Sequence, residues 1–310
     1  MNNLERFLLR LFCVFSHRRV CIFHPQACFP FMAIAAIVGP NAFAQSETGT
    51  VIIIGYSQKK VVIAADSRRI SQNGLYHDDG CKIAALEDKI VFAAFGRATS
   101  VASDGTFEWD ATREARAVLA TTQHLQTDRG GGFLDRVAEN WGRLIGPEIS
   151  RYTGESEVSD VADGQFLTSG IFAGIDESGA LHISLEGISI RKRLGTASQI
   201  IVNPPRSVIL TKAIQFRPFS EGDIFDEFMS AKNKRAKQWV RQLTKEAKRT
   251  RDADALKAIR LVDLTVRYGA ETARAGNARV RLVGGKTDAA ELVPGGSVQW
   301  IQRKPGCPDR

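Results

Sequence analysis

The sequence contains no HExxH, no GxSxG and no GxGxxG following an apolar strand-like run, so the zinc-peptidase, nucleophile-elbow and dinucleotide-binding signatures are excluded. "GGKT" at 284–287 approximates a phosphate loop, but the first glycine which that loop requires would fall at Val280. There is no CxxC and no Cys/His cluster with zinc spacing, so no structural metal is expected and the chemistry calls for no cofactor. His77, His124 and His182 are scattered with no spacing that suggests a triad or a metal site, and each reads as a surface or satisfied strand residue. No 20–50-residue repeat is present, which excludes solenoids and propellers.

What is present is ordinary globular composition. Hydrophobic residues make up 44% of the 310 residues and charged residues 25%, enough to fill a sizeable core and too apolar for a disordered chain. The formal net charge is +8. Much of the excess sits between Lys232 and Arg251, where Trp239, Val240, Leu243 and Ala247 recur at helical spacing. That pattern is the solvated face of an amphipathic helix, with an acidic-partner or nucleic-acid surface as the alternative; no nucleic-acid partner is expected.

The N-terminus reads as an export signal. Arg18 and Arg19 precede "FPFMAIAAIVG", an apolar run too short to span a bilayer, and "PNAFAQ" supplies a small-x-small cleavage pattern at Ala42 and Ala44. Residues 1–44 are therefore expected to be removed, leaving a periplasmic or secreted protein without a stable membrane span. His24, Pro25 and Gln26 interrupt the segment, so a mis-assigned start or a short anchor is the alternative. Cys13, Cys21 and Cys28 lie in that leader. Cys81 and Cys307 remain, either bridged in an oxidising compartment or as two separate thiols.

Apolar runs at 50–56 and 60–66 flank the polar turn "SQKK", and "CKIAALEDKIVFAAFG" reads as strand, turn, strand. Helical periodicity extends from about Phe107 to Gln126 and from Phe133 to Tyr152, divided by "RGGG". Strands return between Phe166 and Ile190; two further helices follow the loop at 203–206, and "ARVRLVGG", "TDAAELV" and "SVQWIQRK" read as closing strands. Runs this apolar cannot leave a sheet face in water. The fold expected is α+β, a four-layer αββα sandwich of two antiparallel sheets with helices outside. Without a break in composition, residues 50–304 are expected to form one domain, preceded by residues 45–49, which cleavage after Ala44 would leave in place, and followed by a tail at 305–310.

Four elements stand in register: "GT" at 49–50, "VVIAADSRR" at 61–69, "CKI" at 81–83 and "IVFAAFG" at 90–96. Thr50 to Asp66 is 16 positions, Asp66 to Lys82 another 16, and Lys82 to Gly96 is 14. This resembles the start of the mature β-type subunits of the proteasome core particle, which are N-terminal nucleophile hydrolases. The resemblance implies that Thr50 is the nucleophile, freed by autocatalytic cleavage after Gly49 that removes residues 45–49 as a short propeptide, and that its own α-amino group serves as base. An α-amino group titrates near ~8 and accepts a proton at physiological pH, where a lysine of ordinary pKa does not. Lys82 would ease negative charge at the hydroxyl, Asp66 would hold that ammonium, and the Gly96 N–H would receive the developing oxyanion. The substrate implied is a peptide or small amide, and family members assemble through their helices, so a homo-oligomer is implied as well.

Further along, "LGTAS" makes Thr196 and Ser198 counterparts of the family's supporting turn, and "VGGKTDAAEL" resembles its glycine-glycine lead into a strand. Val280 stands where the family's downstream aspartate would be, with Asp263 as a possible substitute from a helix. Each residue also has a plainer reading. Asp66 with Arg68 can form a turn salt bridge, Thr50 can simply begin a strand, and a non-catalytic binding or assembly subunit can keep the same framework.

Overall fold

The computed structural model describes residues 50–70, 76–78, 80–101, 107–124, 132–152, 161–176, 178–192, 198–220, 224–230, 233–250, 252–274 and 283–307. The leader, the propeptide with Gly49, and Thr196 lie outside the described residues. In chain order the first strands are β1 (Val51–Tyr56), β2 (Val61–Ala65), β3 (Arg69–Ile70), β4 (Tyr76–His77), β5 (Ile83–Glu87), β6 (Ile90–Gly96), β7 (Thr99–Val101) and β8 (Phe107–Asp110). Helices α1 (Ala111–His124) and α2 (Phe133–Tyr152) precede β9 (Phe166–Ile175), β10 (Leu181–Arg191), β11 (Gln199–Val202), β12 (Arg206–Ser207) and β13 (Gln215–Ser220). Then come α3 (Ile224–Met229), α4 (Lys234–Ala247), α5 (Ala253–Arg274), β14 (Asp288–Leu292) and β15 (Gln299–Gln302).

Two antiparallel sheets organise these elements, in the orders β13-β1-β2-β14-β15 and β11-β10-β9-β6-β5. Alternation along β1 and β2 explains their unbroken apolar runs. Ile52, Ile54, Ile63 and Ala65 face Val91, Ala93, Ile171 and Ala173 of the second sheet. Val51, Ile53, Val62 and Ala64 turn the other way, against Phe228 of α3 and Ala255, Ala258 and Val262 of α5. The second sheet likewise buries Phe92, Phe172, Ile188 and Ile190 beneath Trp141, Ile145 and Ile149 of α2 and Ala115 and Leu119 of α1. A strand buried on both faces has no solvent side to mark with polar residues, and each large side chain so buried contributes about 1.5–3 kcal/mol. The architecture is thus mixed α+β, with two antiparallel sheets and helices packed on them. No described helix is long and apolar enough to cross a membrane.

Local structure departs from the sequence reading in places, and residues 278–282 of the "ARVRLVGG" strand lie outside the described residues. The first helix begins at Ala111 rather than near Phe107, because the Asp110 carboxylate accepts the Arg113 N–H at 2.8 Å as a cap and Phe107–Asp110 pairs with β7 instead. Strand β13 was not apparent, since "QFRPFS" carries a proline; it occupies the sheet edge, where a missing N–H is tolerated. Of "ARVRLVGG", residues 283–285 are described and form no strand, leading instead into β14.

Candidate active site

Thr50 and Asp66 flank the same end of the β1–β2 pair. Thr50 immediately precedes β1 and is buried, and Asp66 immediately follows β2. The Asp66 N–H donates to the Val51 carbonyl at 3.1 Å, and the Val51 N–H returns a bond to Asp66 Oδ1 at 3.0 Å. The carboxylate therefore folds back onto the peptide that joins Thr50 to Val51. Lys82, one residue ahead of β5 in the opposite sheet, donates from Nζ to the same Oδ1 at 2.8 Å. Gly284 N–H completes the set, donating to Oδ2 at 3.0 Å. Asp66 is wholly buried and the Lys82 side chain 7% exposed. A carboxylate so placed is tolerable only because two backbone donors and an ammonium replace its water.

Arg68 does not pair with Asp66. Its guanidinium forks onto Asp78, Nε to Oδ1 at 2.6 Å and Nη2 to Oδ2 at 2.8 Å, while Nη1 donates to the Val283 carbonyl at 3.2 Å. That hydrogen bonding holds the Asp78 carboxyl below its ordinary range despite partial burial. The Ser67 and Arg68 N–H groups both donate to the Gly284 carbonyl, at 3.1 and 3.0 Å. At Gly285, with φ +74°, an added Cβ would lie 2.1 Å from Ser67 Oγ, so only glycine fits. The glycine pair is thereby threaded against residues 66–68, which is how it delivers an N–H to Asp66.

Gly96 ends β6 opposite Thr168 of β9. The Arg97 N–H donates to the Leu167 carbonyl at 2.8 Å, and in an antiparallel ladder that bond flanks a pair exchanging none of its own. The Gly96 N–H accordingly turns away from β9, towards the side on which β5 lies. Ile83 pairs with Ala93, so Lys82 and Gly96 sit at the same end of the β5–β6 pair. Glycine is required there by φ +81° and by the Leu167 carbonyl oxygen, which a Cβ would meet at 2.2 Å.

Ser198 is exposed, one residue before β11, on the sheet edge remote from β5. Asp263 is engaged elsewhere: Thr287 Oγ1 donates to its Oδ1 at 2.5 Å. Cys81 and Cys307 form a disulfide, with Cα atoms 5.6 Å apart. Sequence reasoning did not single out Asp288, and it treated Lys304 only as the end of the domain. Lys304 Nζ lies 2.8 Å from Asp288 Oδ2, and both side chains are buried. The only usable signal was the pair of cysteines left after the leader, one beside Lys82 and one beyond Lys304. Among the described residues no group of three His, Cys, Asp or Glu side chains could hold a metal ion. No protein-family model matches the chain, and no curated protein sequence matches it.

Proposed function

We propose that this protein is an exported threonine-type N-terminal nucleophile hydrolase of proteasome β-like type, cleaving amide and most simply peptide bonds. The observation that carries the reading is the Asp66 carboxylate, which binds the Lys82 ammonium and the Val51 N–H on one oxygen, beside Thr50. Sequence spacing, two buried sheets with helices on them, and the direction of the Gly96 N–H agree with it.

In this reading the Thr50 hydroxyl first attacks the Gly49 carbonyl; the Gly49–Thr50 amide becomes an ester, and water hydrolyses it to leave a free α-amino group. That amine then takes the hydroxyl proton as Oγ adds to the substrate carbonyl. Lys82 favours negative charge near Oγ, and Gly96 N–H stabilises the oxyanion, a donor worth about 3–4 kcal/mol in the transition state. Collapse expels the leaving amine, which carries away the proton, and water resolves the acyl-threonine ester. The Asp66–Lys82 pair holds the cation in place throughout without itself exchanging a proton.

One observation favours a second reading, a non-catalytic binding or assembly subunit on the same framework. Ser198 lies at the remote sheet edge and Asp263 is engaged with Thr287, so neither joins Asp66 and Lys82. Replacing Thr50 by Ala separates the two. The hydrolase reading requires that Thr50→Ala lose both removal of residues 45–49, read by intact mass, and hydrolysis of fluorogenic peptide amides. A parent that keeps residues 45–49 and hydrolyses nothing, with a Thr50→Ala protein that differs from it only by the mass of the substitution, establishes the second reading. A homo-oligomer is part of the proposal and is checked by light scattering.

A further inference from the structure

Lys82 sits outside any strand, so something other than a sheet ladder must fix the segment that carries it. Gly80, Cys81 and Lys82 are each tied separately. The Gly80 N–H donates to the Ser67 carbonyl at 2.9 Å, and the Gly80 carbonyl accepts from Lys304 Nζ. Cys81 is joined covalently to Cys307. Lys304 and Cys307 belong to one short turn after β15, in which the Cys307 N–H donates to the Lys304 carbonyl at 3.4 Å. Two of these ties, Lys304 to Gly80 and Cys307 to Cys81, therefore come from the same C-terminal turn.

Lys304 is itself held rigidly. Asp288 Oδ2 lies 2.8 Å from its ammonium, and Asp288 Oδ1 accepts its backbone N–H at 2.8 Å. Asp288 begins β14 directly opposite Ala65, the neighbour of Asp66. Two buried ion pairs thus stand side by side at one end of the sheet, Asp66–Lys82 and Asp288–Lys304. A buried ion pair gains little stability over apolar packing, because each ion loses its hydration. What it does supply here is a donor fixed in direction, aimed at the peptide two residues before Lys82.

We propose that Lys304 is a positioning residue for Lys82, acting through the Gly80 carbonyl, with the Cys81–Cys307 bridge fastening the same turn to the same segment. This rests on the hydrolase reading for its effect on rate, but not for its effect on Lys82. Lys304 touches neither substrate nor Thr50; it fixes the backbone from which the Lys82 ammonium reaches Asp66.

The test compares the full-length protein with three variants: Lys304→Met combined with Asp288→Asn, Cys81→Ser combined with Cys307→Ser, and Lys60→Met as a control. Lys60 pairs with Glu291 at the opposite end of β14, 2.9 Å apart, and with Asp252 at 3.2 Å, in a less buried setting, so it reports general loosening of the sheet. Two readouts are taken: acetylation of Lys82 by acetic anhydride, mapped by mass spectrometry, and kcat and KM on a fluorogenic peptide amide. Lys82 acetylation should rise in the first two variants and stay at the parental level in Lys60→Met. The kcat should fall by up to about 10²-fold with KM unchanged, as expected for a misplaced supporting group. Parental Lys82 protection in both test variants, whatever the kinetics, overturns the proposal. So does equal deprotection in Lys60→Met. If Lys82 is deprotected in the test variants alone while the parent hydrolyses nothing, the positioning role stands and the hydrolase reading falls. The serine pair leaves both buried charges matched, so the comparison survives if the charge variant fails to fold.

Discussion

The Lys82 ammonium and the Asp66 carboxylate meet 2.8 Å apart across the interface of two sheets, one residue ahead of β5 and one residue after β2. The pair joins the two sheets at one end of an interface that is otherwise largely apolar. It is buried at the strand ends rather than in the middle of the core.

Removing one member of this pair separates structure from chemistry. Lys82→Met leaves a fully buried carboxylate with backbone donors alone, which costs about 3–5 kcal/mol of stability. Combining Lys82→Met with Asp66→Asn removes the stranded charge and should recover part of that loss, because the single amide oxygen replaces only one of the two acceptors that Val51 and Gly284 use. Hydrolysis should be absent from both, because neither supplies a cation. Denaturant unfolding and peptide-amide assays check the two statements independently.

Gly96→Ala should be severe for backbone reasons. A left-handed φ costs a side-chain-bearing residue about 1–3 kcal/mol, and the 2.2 Å approach to the Leu167 carbonyl oxygen forces β6 away from β9 as well. The same displacement moves the N–H proposed to receive the oxyanion. Thermal unfolding should therefore show a lowered Tm, and the folded fraction at low temperature should show a reduced kcat.

The front half of the site was legible because its signals are local. Strand ends at Ala65 and Gly96, and a threonine, aspartate, lysine and glycine at fixed spacing, can be read along one strand pair at a time. Of the back half, "VGGKTDAAEL" marked the glycine pair and a following strand, but not that Gly284, Asp288 and Lys304 reach residues 66–82, because that depends on β14 lying beside β2, a pairing separated by more than two hundred residues. Composition marks no such register. Strand β13 was hidden for a different reason: an edge strand tolerates Pro218 and Arg217, so it lacks the apolar pattern of its neighbours. The cysteines were visible, but their bridge depends on where the chain turns after β15.

The disulfide closes a loop between residues 226 positions apart, so it restricts the unfolded chain strongly. Replacing both cysteines by serine should lower stability by about 2–5 kcal/mol. The measurement is the unfolding midpoint of the oxidised parent against the Cys81→Ser, Cys307→Ser protein, with dithiothreitol shifting the parent towards the variant and leaving the variant unmoved.

Glu186 gives the fold a pH dependence of defined sign. It lies on β10 under α2, with both carboxyl oxygens buried and without a hydrogen-bond partner among the described residues; an added Cβ on Gly142 of that helix would fall 2.5 Å from Oε1. Burial, reinforced by the Glu139 charge and only partly offset by Arg143, pushes its pKa up from 4.5 to about 8. Below pH 4.5 the carboxyl is protonated in both folded and unfolded chains, and its full contribution to stability is present. Between 4.5 and 8 the unfolded chain releases the proton while the folded protein retains it, so stability falls as pH rises. Above about 8 both are ionised and the loss is complete, an upper bound of about 5 kcal/mol for a shift of this size. Glu186→Gln keeps the shape and removes the ionisation. The variant should match the parent near pH 4.5 and exceed it increasingly towards pH 9, with the difference between their denaturant midpoints widening across that window; parallel pH profiles would show that the carboxyl finds a partner in solution.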